Sequence, residues 1–225
     1  AVRIAFALLL WGAFTATWYA VYHLARTPNA QPVAFAFGGE AQPTDYARAI
    51  ADGALLALIA CLGLAQLGHE TTPALAQLFF IAHLFYGVAA LPYHRVGATL
   101  ALCVGALGLS LSGAPSVGLG LAAGAALLVA LDRRREVSNA SSDEPRYRAM
   151  ASFEIAGIAL IAIGVAVALG LWRWQIALPG QQEGRPLSAD LRSQAKLLLW
   201  FTWPAWPLAL WTLWRWRRQL TARHV

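Results

Sequence analysis

His69, His83 and His94 punctuate one apolar stretch, HETTPALAQLFFIAHLFYGVAALPYH. At about 100° per residue, His83 falls roughly 40° from His69 around a helix and His94 roughly 20° from His83, so all three share a face. With a rise of about 1.5 Å per residue, some 21 Å separate the first two and some 16 Å the last two. His69 and His94 therefore fall at the two edges of a bilayer, and His83 near its middle. Phe80 and Gly87 lie on the same face with Ala76 and Ala90, and small residues one turn from His83 leave room for a flat ligand.

An ionisable side chain at that depth points to function, because an unpaired polar group in hydrocarbon costs several kcal/mol. Three uses fit His83: axial ligation of a haem or chlorophyll-type macrocycle, a hydrogen bond to a quinone, or a proton relay. The plainer use is a neutral imidazole bonded to a hydroxyl or carbonyl. His23, at the end of the first apolar stretch, shares the depth of His94 rather than that of His83. A haem held by His23 and His94 would therefore sit shallow, while one at His83 needs a sixth ligand other than histidine.

Asp45, Arg48 and Asp52 recur at i, i+3 and i+7, so they form one helical stripe in which Arg48 can pair with either acid. Glu154 enters a later apolar stretch near its start, where the helix dipole favours an acid. Several reaction classes lack their residues. The sole lysine, Lys196, lies at the edge of the last apolar stretch, which argues against Schiff-base chemistry. The glycine-flanked serines of SGAPSVGLG at 112–120 have no histidine after them until His224, and the chain carries no HExxH, CxxC, phosphate loop or clustered metal ligands. No metal site is expected, and Cys61 and Cys103 read as free thiols inside apolar stretches.

The elements that must hold these residues follow from composition. Of 225 residues 59% are apolar and 12% charged, far from a soluble domain, so the surrounding solvent must be lipid. The predicted fold is an all-α integral membrane protein, a single polytopic domain over residues 1–225. Seven transmembrane helices are placed at about 4–24, 47–67, 73–92, 96–113, 115–131, 151–172 and 195–214. The N-terminal stretch resembles a secretory signal, but its apolar run continues to His23 and reads as the first span. SGAPS at 112–116 supplies the turn between the fourth and fifth spans, with a re-entrant hairpin as the alternative. GLAAG at 120–124 is a small-residue packing signal.

The formal charge of +6 comes from arginines set between apolar spans, a pattern of topology signals and lipid headgroup contacts rather than nucleic-acid binding. Five arginines between Asp132 and Arg148, and four at 215, 217, 218 and 223, share a side. That side is cytoplasmic by the positive-inside rule, which places the N-terminus outside. The Asn139 glycosylation acceptor then faces the cytoplasm and is discounted. A bacterial inner membrane fits this composition.

The stretch from Trp200 to Arg218, at the last span and its basic end, carries six of the ten tryptophans. On a continuous helix Trp200, Trp203, Trp211 and Trp214 form a stripe about 80° wide. Pro204 and Pro207 predict a kink that frees carbonyls for Thr202 or a neighbour to satisfy. The stripe suits an anchor or a lateral contact with a partner helix.

Together these readings predict an integral subunit of a larger energy-transducing or redox membrane complex, with membrane lipids and other integral subunits as its partners. It would contribute packing surface and a haem, chlorophyll-type or quinone contact near His83. The alternatives are a membrane enzyme acting on a lipid or isoprenoid through His69, Glu70 and His94, and a small-solute or proton transporter using Asp52, His83 and Glu154.

Overall fold

The computed structural model describes residues 2–27, 30–31, 41–61, 63–64, 71–136, 144–171 and 187–216. His69, Glu70, Asn139, Arg217, Arg218 and Arg223 lie outside them. The described residues are all-helical, with no strand. The helices are α1 (Val2–Ala25), α2 (Pro43–Ile59), α3 (Pro73–Ala90), α4 (Arg95–Leu111), α5 (Pro115–Glu136), α6 (Glu144–Ala168), α7 (Leu187–Phe201) and α8 (Ala205–Trp216).

Proline and glycine set the boundaries. Pro43, Pro73 and Pro115 each open a helix, where the missing N–H costs nothing. Pro92 follows the end of α3 and stops it. Gly113, at φ 85°, closes α4, with Ala114 N–H donating to the Leu109 carbonyl and Gly113 N–H to that of Ser110. Gly170, at φ 61°, ends α6 with the same paired bonds, from Leu171 to Ala166 and from Gly170 to Val167. The turn predicted at 112–116 thus joins two helices.

Among the described residues, three helical stretches are long and apolar enough to cross a membrane: Val2–Ala25, Pro73–Ala90 and Met150–Ala168. The apolar parts of α4 (Arg95–Leu111) and α5 (Pro115–Val129) are shorter. The predicted seventh span is divided: residues 202–204 separate α7 from α8 at Pro204, which has no N–H to continue the ladder.

Packing is built on small residues. Gly12 of α1 lies under the Phe79 ring, and Ala13, Ala16 and Ala20 are buried along the same helix. Tyr19 meets Tyr86, and His23 meets Tyr93, so contacts advance together along α1 and α3 and the two helices run parallel. Along α4 the order reverses: Gly87 meets Leu102, Leu84 meets Gly105, and Phe80 meets Gly108, which makes α3 and α4 antiparallel. The main core joins Leu84, Leu91, Leu102, Leu109 and Ile155 with alanines of α4 to α6. Large apolar side chains instead point outward, Leu8, Trp11, Leu128, Phe153 and Leu160 among them. Alanine and glycine at the helix contacts, with many large apolar side chains outside, is the arrangement expected where lipid is the solvent, and with the three crossing-length helices it supports a membrane location.

Candidate functional site

The structure gathers polar and aromatic side chains at one end of the bundle, where α1 and α3 finish and α4 begins. His23 is 4% exposed, and its Nδ1 is buried without a hydrogen-bond partner. Its ring stacks on Tyr93 at 4.9 Å between centroids and meets His94 edge-on at 5.7 Å. Tyr86 and Tyr22 close its other sides at 6.0 and 5.7 Å. The Arg26 guanidinium lies 5.5 Å from the Tyr22 centroid and 5.3 Å from that of Tyr93, within cation–π range of both rings.

Local sequence explains the assembly. Tyr19, Tyr22, His23 and Arg26 follow the three- and four-residue spacing that puts side chains on one helix face. Pro92 ends α3 just where Tyr93 and His94 turn back toward α1. His94 is the N-cap residue of α4 and makes no side-chain cap bond.

Two acids flank the cluster, each engaged. Asp52 Oδ1 accepts from the Trp18 indole Nε1–H at 2.7 Å, and Trp18 stacks on Tyr22 at 5.3 Å. Glu154 accepts a short hydrogen bond from the Thr99 hydroxyl and another from Arg95 Nη2 at 3.3 Å, linking α6 to α4. Arg48 takes the nearer of its two candidate acids, with Nη1 3.2 Å from Asp45 Oδ1. Both partners of that pair are largely exposed, so its contribution is small.

His83 is half-buried in α3; its Nδ1 and the Phe79 carbonyl are 2.9 Å apart, and the Phe79 ring lies 4.0 Å from its own. The room expected beside it is filled. A Cβ on Gly87 would stand 2.7 Å from Leu102 Cγ and 2.9 Å from the Ala98 carbonyl, and Phe80 covers Gly108. Phe80 and Gly87 are thus the α3–α4 interface, and a macrocycle does not fit between them. His23 and His94 are brought together at the end of the bundle, their ring centroids 5.7 Å apart, with Tyr22, Tyr86 and Tyr93 around the His23 ring.

The tryptophan stripe assumed a continuous helix, and the break at 202–204 divides it. Trp200 ends up on α7, Trp211 and Trp214 on α8, and Trp203 in the break. All four are exposed, and they pair locally, Trp203 with Trp206 at 5.9 Å and Trp211 with Trp214 at 5.6 Å. Thr202 Oγ1 donates to the Leu198 carbonyl at 2.6 Å, and the Trp206 indole donates to that of Leu199 at 3.1 Å. The Trp203 N–H turns to the Trp200 carbonyl that Pro204 leaves free, and the Trp206 indole takes the Leu199 carbonyl that Trp203 gives up, while Leu198 also keeps its bond from the Thr202 N–H.

Sequence reasoning brought His23 and His94 to one depth but passed over Tyr93, Arg26, Tyr22, Trp18 and Thr99. The aromatic spacing before Arg26 and the tyrosine beside His94 were the signals that pointed to them. Among the described residues no group of three or more histidine, cysteine or acidic side chains is placed to hold a metal ion. No family model, curated protein or solved structure matches the chain.

Proposed function

We propose that the chain is an integral subunit of a larger membrane complex, of the energy-transducing or redox class, held in it by lateral helix contacts. The carrying observation is the surface of α8. Leu208, Leu210, Trp211, Leu213 and Trp214 are all exposed, and at about 100° per residue they surround the helix rather than forming one stripe. A helix apolar all round belongs in lipid or against other helices. Exposed Leu197, Leu198, Leu199 and Trp200 extend the same character along α7.

The redox part rests on His83. With Nδ1 committed to the Phe79 carbonyl, Nε2 is left as an acceptor, which suits a reduced quinone's hydroxyl and needs far less room than a macrocycle. The bundle contributes a hydrogen bond and an apolar wall, while the electron chemistry belongs to the quinone and its partners.

Extraction of the tagged chain in mild detergent tests both parts. The expected preparation is larger than the chain alone, contains other integral membrane proteins and carries quinone. Trp211→Ala combined with Trp214→Ala releases partners, and His83→Ala lowers the quinone content while leaving the partners bound. A chain that elutes alone refutes the subunit reading, and quinone content unchanged in His83→Ala refutes the redox contact.

A further inference from the structure

Asp52 is an acid with only part of its bonding met. Its Oδ1 accepts from the Trp18 indole, and no cation pairs with the carboxylate among the described residues. Arg48, one turn away on the same helix, is taken by Asp45. Depth sharpens the deficit. α1 is 24 residues long, about 36 Å, and Trp18 lies about 10 Å before its end. In a bilayer core about 30 Å thick, the bond from Trp18 therefore holds Asp52 inside the hydrocarbon edge, where an isolated charge is costly. The face of α2 that carries it is open. α2 packs on α1, and its buried residues are Ala47 and Ala51. At about 100° per residue, Ala49, Asp52, Leu56 and Ile59 form a stripe about 80° wide turned away from that contact, and all four are exposed. A Cβ on Gly53, beside the stripe, would meet nothing within 4 Å, so another helix backbone can come close there.

We propose that this face of α2 docks a partner transmembrane helix that carries a basic side chain at the depth of Asp52. Charge complementarity selects that occupant. Lipid chains cannot satisfy the carboxylate, whereas a basic side chain supplies both a counter-charge and donors for its remaining oxygen. Trp18 fixes the carboxylate before the partner arrives, so that part of the ordering cost is already met. Leu56 and Ile59 add apolar contact along the same stripe, and Gly53 leaves room for the partner's backbone. α2 thereby takes the lateral role that the subunit reading asks for, and on which this assignment rests, at a surface separate from α8.

The probe is a poly-leucine transmembrane peptide with one arginine about two turns from its end, compared with the same peptide carrying leucine there. Each is reconstituted with the chain in phosphatidylcholine liposomes, and association is read as energy transfer between dyes on the peptide and on the tagged chain. Wild type is expected to bind the arginine peptide about fivefold to thirtyfold more tightly, the range of an interhelical polar pair in lipid. Asp52→Asn removes that preference, although its amide oxygen still accepts from Trp18 and keeps the fold. Asp52→Glu retains part of it, and Glu154→Gln, which loses a carboxylate on another helix, leaves it unchanged. Equal association of the two peptides with wild type overturns the proposal. So does a preference that survives in Asp52→Asn. A protonated carboxyl stretch in the infrared spectrum of the chain saturated with the arginine peptide, lost in Asp52→Asn, overturns it as well, because Asp52 then meets its partner uncharged. A chain that purifies alone from native membranes sinks the subunit reading instead, so the two failures are told apart.

Discussion

At the scale of single residues, the ion network of Glu154 shows how a charge is kept inside an apolar helix. Its carboxylate is 19% exposed and sits within the crossing-length stretch Met150–Ala168, where an isolated charge is costly. Thr99 and Arg95 of α4 satisfy it, so one acid fastens two helices. Removing a partner leaves the charge buried without its bond, which costs about 1.5–3 kcal/mol. Thr99→Val is therefore expected to lower the thermal midpoint of the solubilised protein clearly. Glu154→Gln, which still accepts the hydroxyl proton, should lower it less than Glu154→Leu. Equal midpoints for all three variants would show that the network holds nothing together. The spacing of Asp45, Arg48 and Asp52 was legible in the sequence, but the bond from Trp18 to Asp52 was not, because it joins side chains 34 positions apart on different helices.

At the scale of elements, the small-residue motif in the sequence does not mark the close contacts inside this bundle. The GLAAG stretch at 120–124 has the small-residue spacing of close helix contact, yet a Cβ on Gly120 or Gly124 meets nothing within 4 Å. The close approaches are made by glycines that no motif singles out: Gly105 packs on the Leu84 amide and the Phe80 carbonyl, 2.7 and 2.8 Å from where its Cβ would be. Spacing reports that a helix has a small face, whereas which face meets a neighbour depends on the rotation of both helices. Those backbone contacts cannot move aside as a flexible side chain does. Gly105→Ala should thus destabilise the isolated chain by about 1–3 kcal/mol. Gly124→Ala should be neutral or stabilise by up to about 1 kcal/mol through helix propensity. Thermal midpoints in detergent decide it, and a Gly124 variant less stable than the Gly105 variant would contradict the packing. Helix boundaries were more legible than faces, because proline and φ-positive glycine act locally at Pro73, Pro92 and Gly113. The seventh span was read as kinked but whole, since the sequence shows that Pro204 frees carbonyls and not whether neighbouring side chains then let the helix part.

At the scale of the whole molecule, the decisive pattern is how much large apolar surface faces outward, while alanine and glycine join a few leucines at the helix contacts. Composition made the lipid environment legible, because 59% apolar residues cannot all be buried in a chain of this length. The direction of each helix was accessible only through charge. The parallel course of α1 and α3 and the antiparallel α4 agree with a chain that crosses back and forth, leaving His23, Tyr93, His94 and Arg95 at one end and Thr71 at the other. Because α3 is 18 residues long, about 27 Å at the helical rise, a crossing by α3 would put Thr71 and Val96 on opposite faces of a bilayer. With Cys61 and Cys103 replaced by alanine, Thr71→Cys is expected to react with a membrane-impermeant maleimide on intact cells. Val96→Cys, 77% exposed at the Arg26 end, reacts only once the inner face is opened, since arginine-rich segments are retained on the cytoplasmic side. Labelling of both from the same face would mean that α3 does not cross. The opposite polarity would keep the span and reverse the orientation.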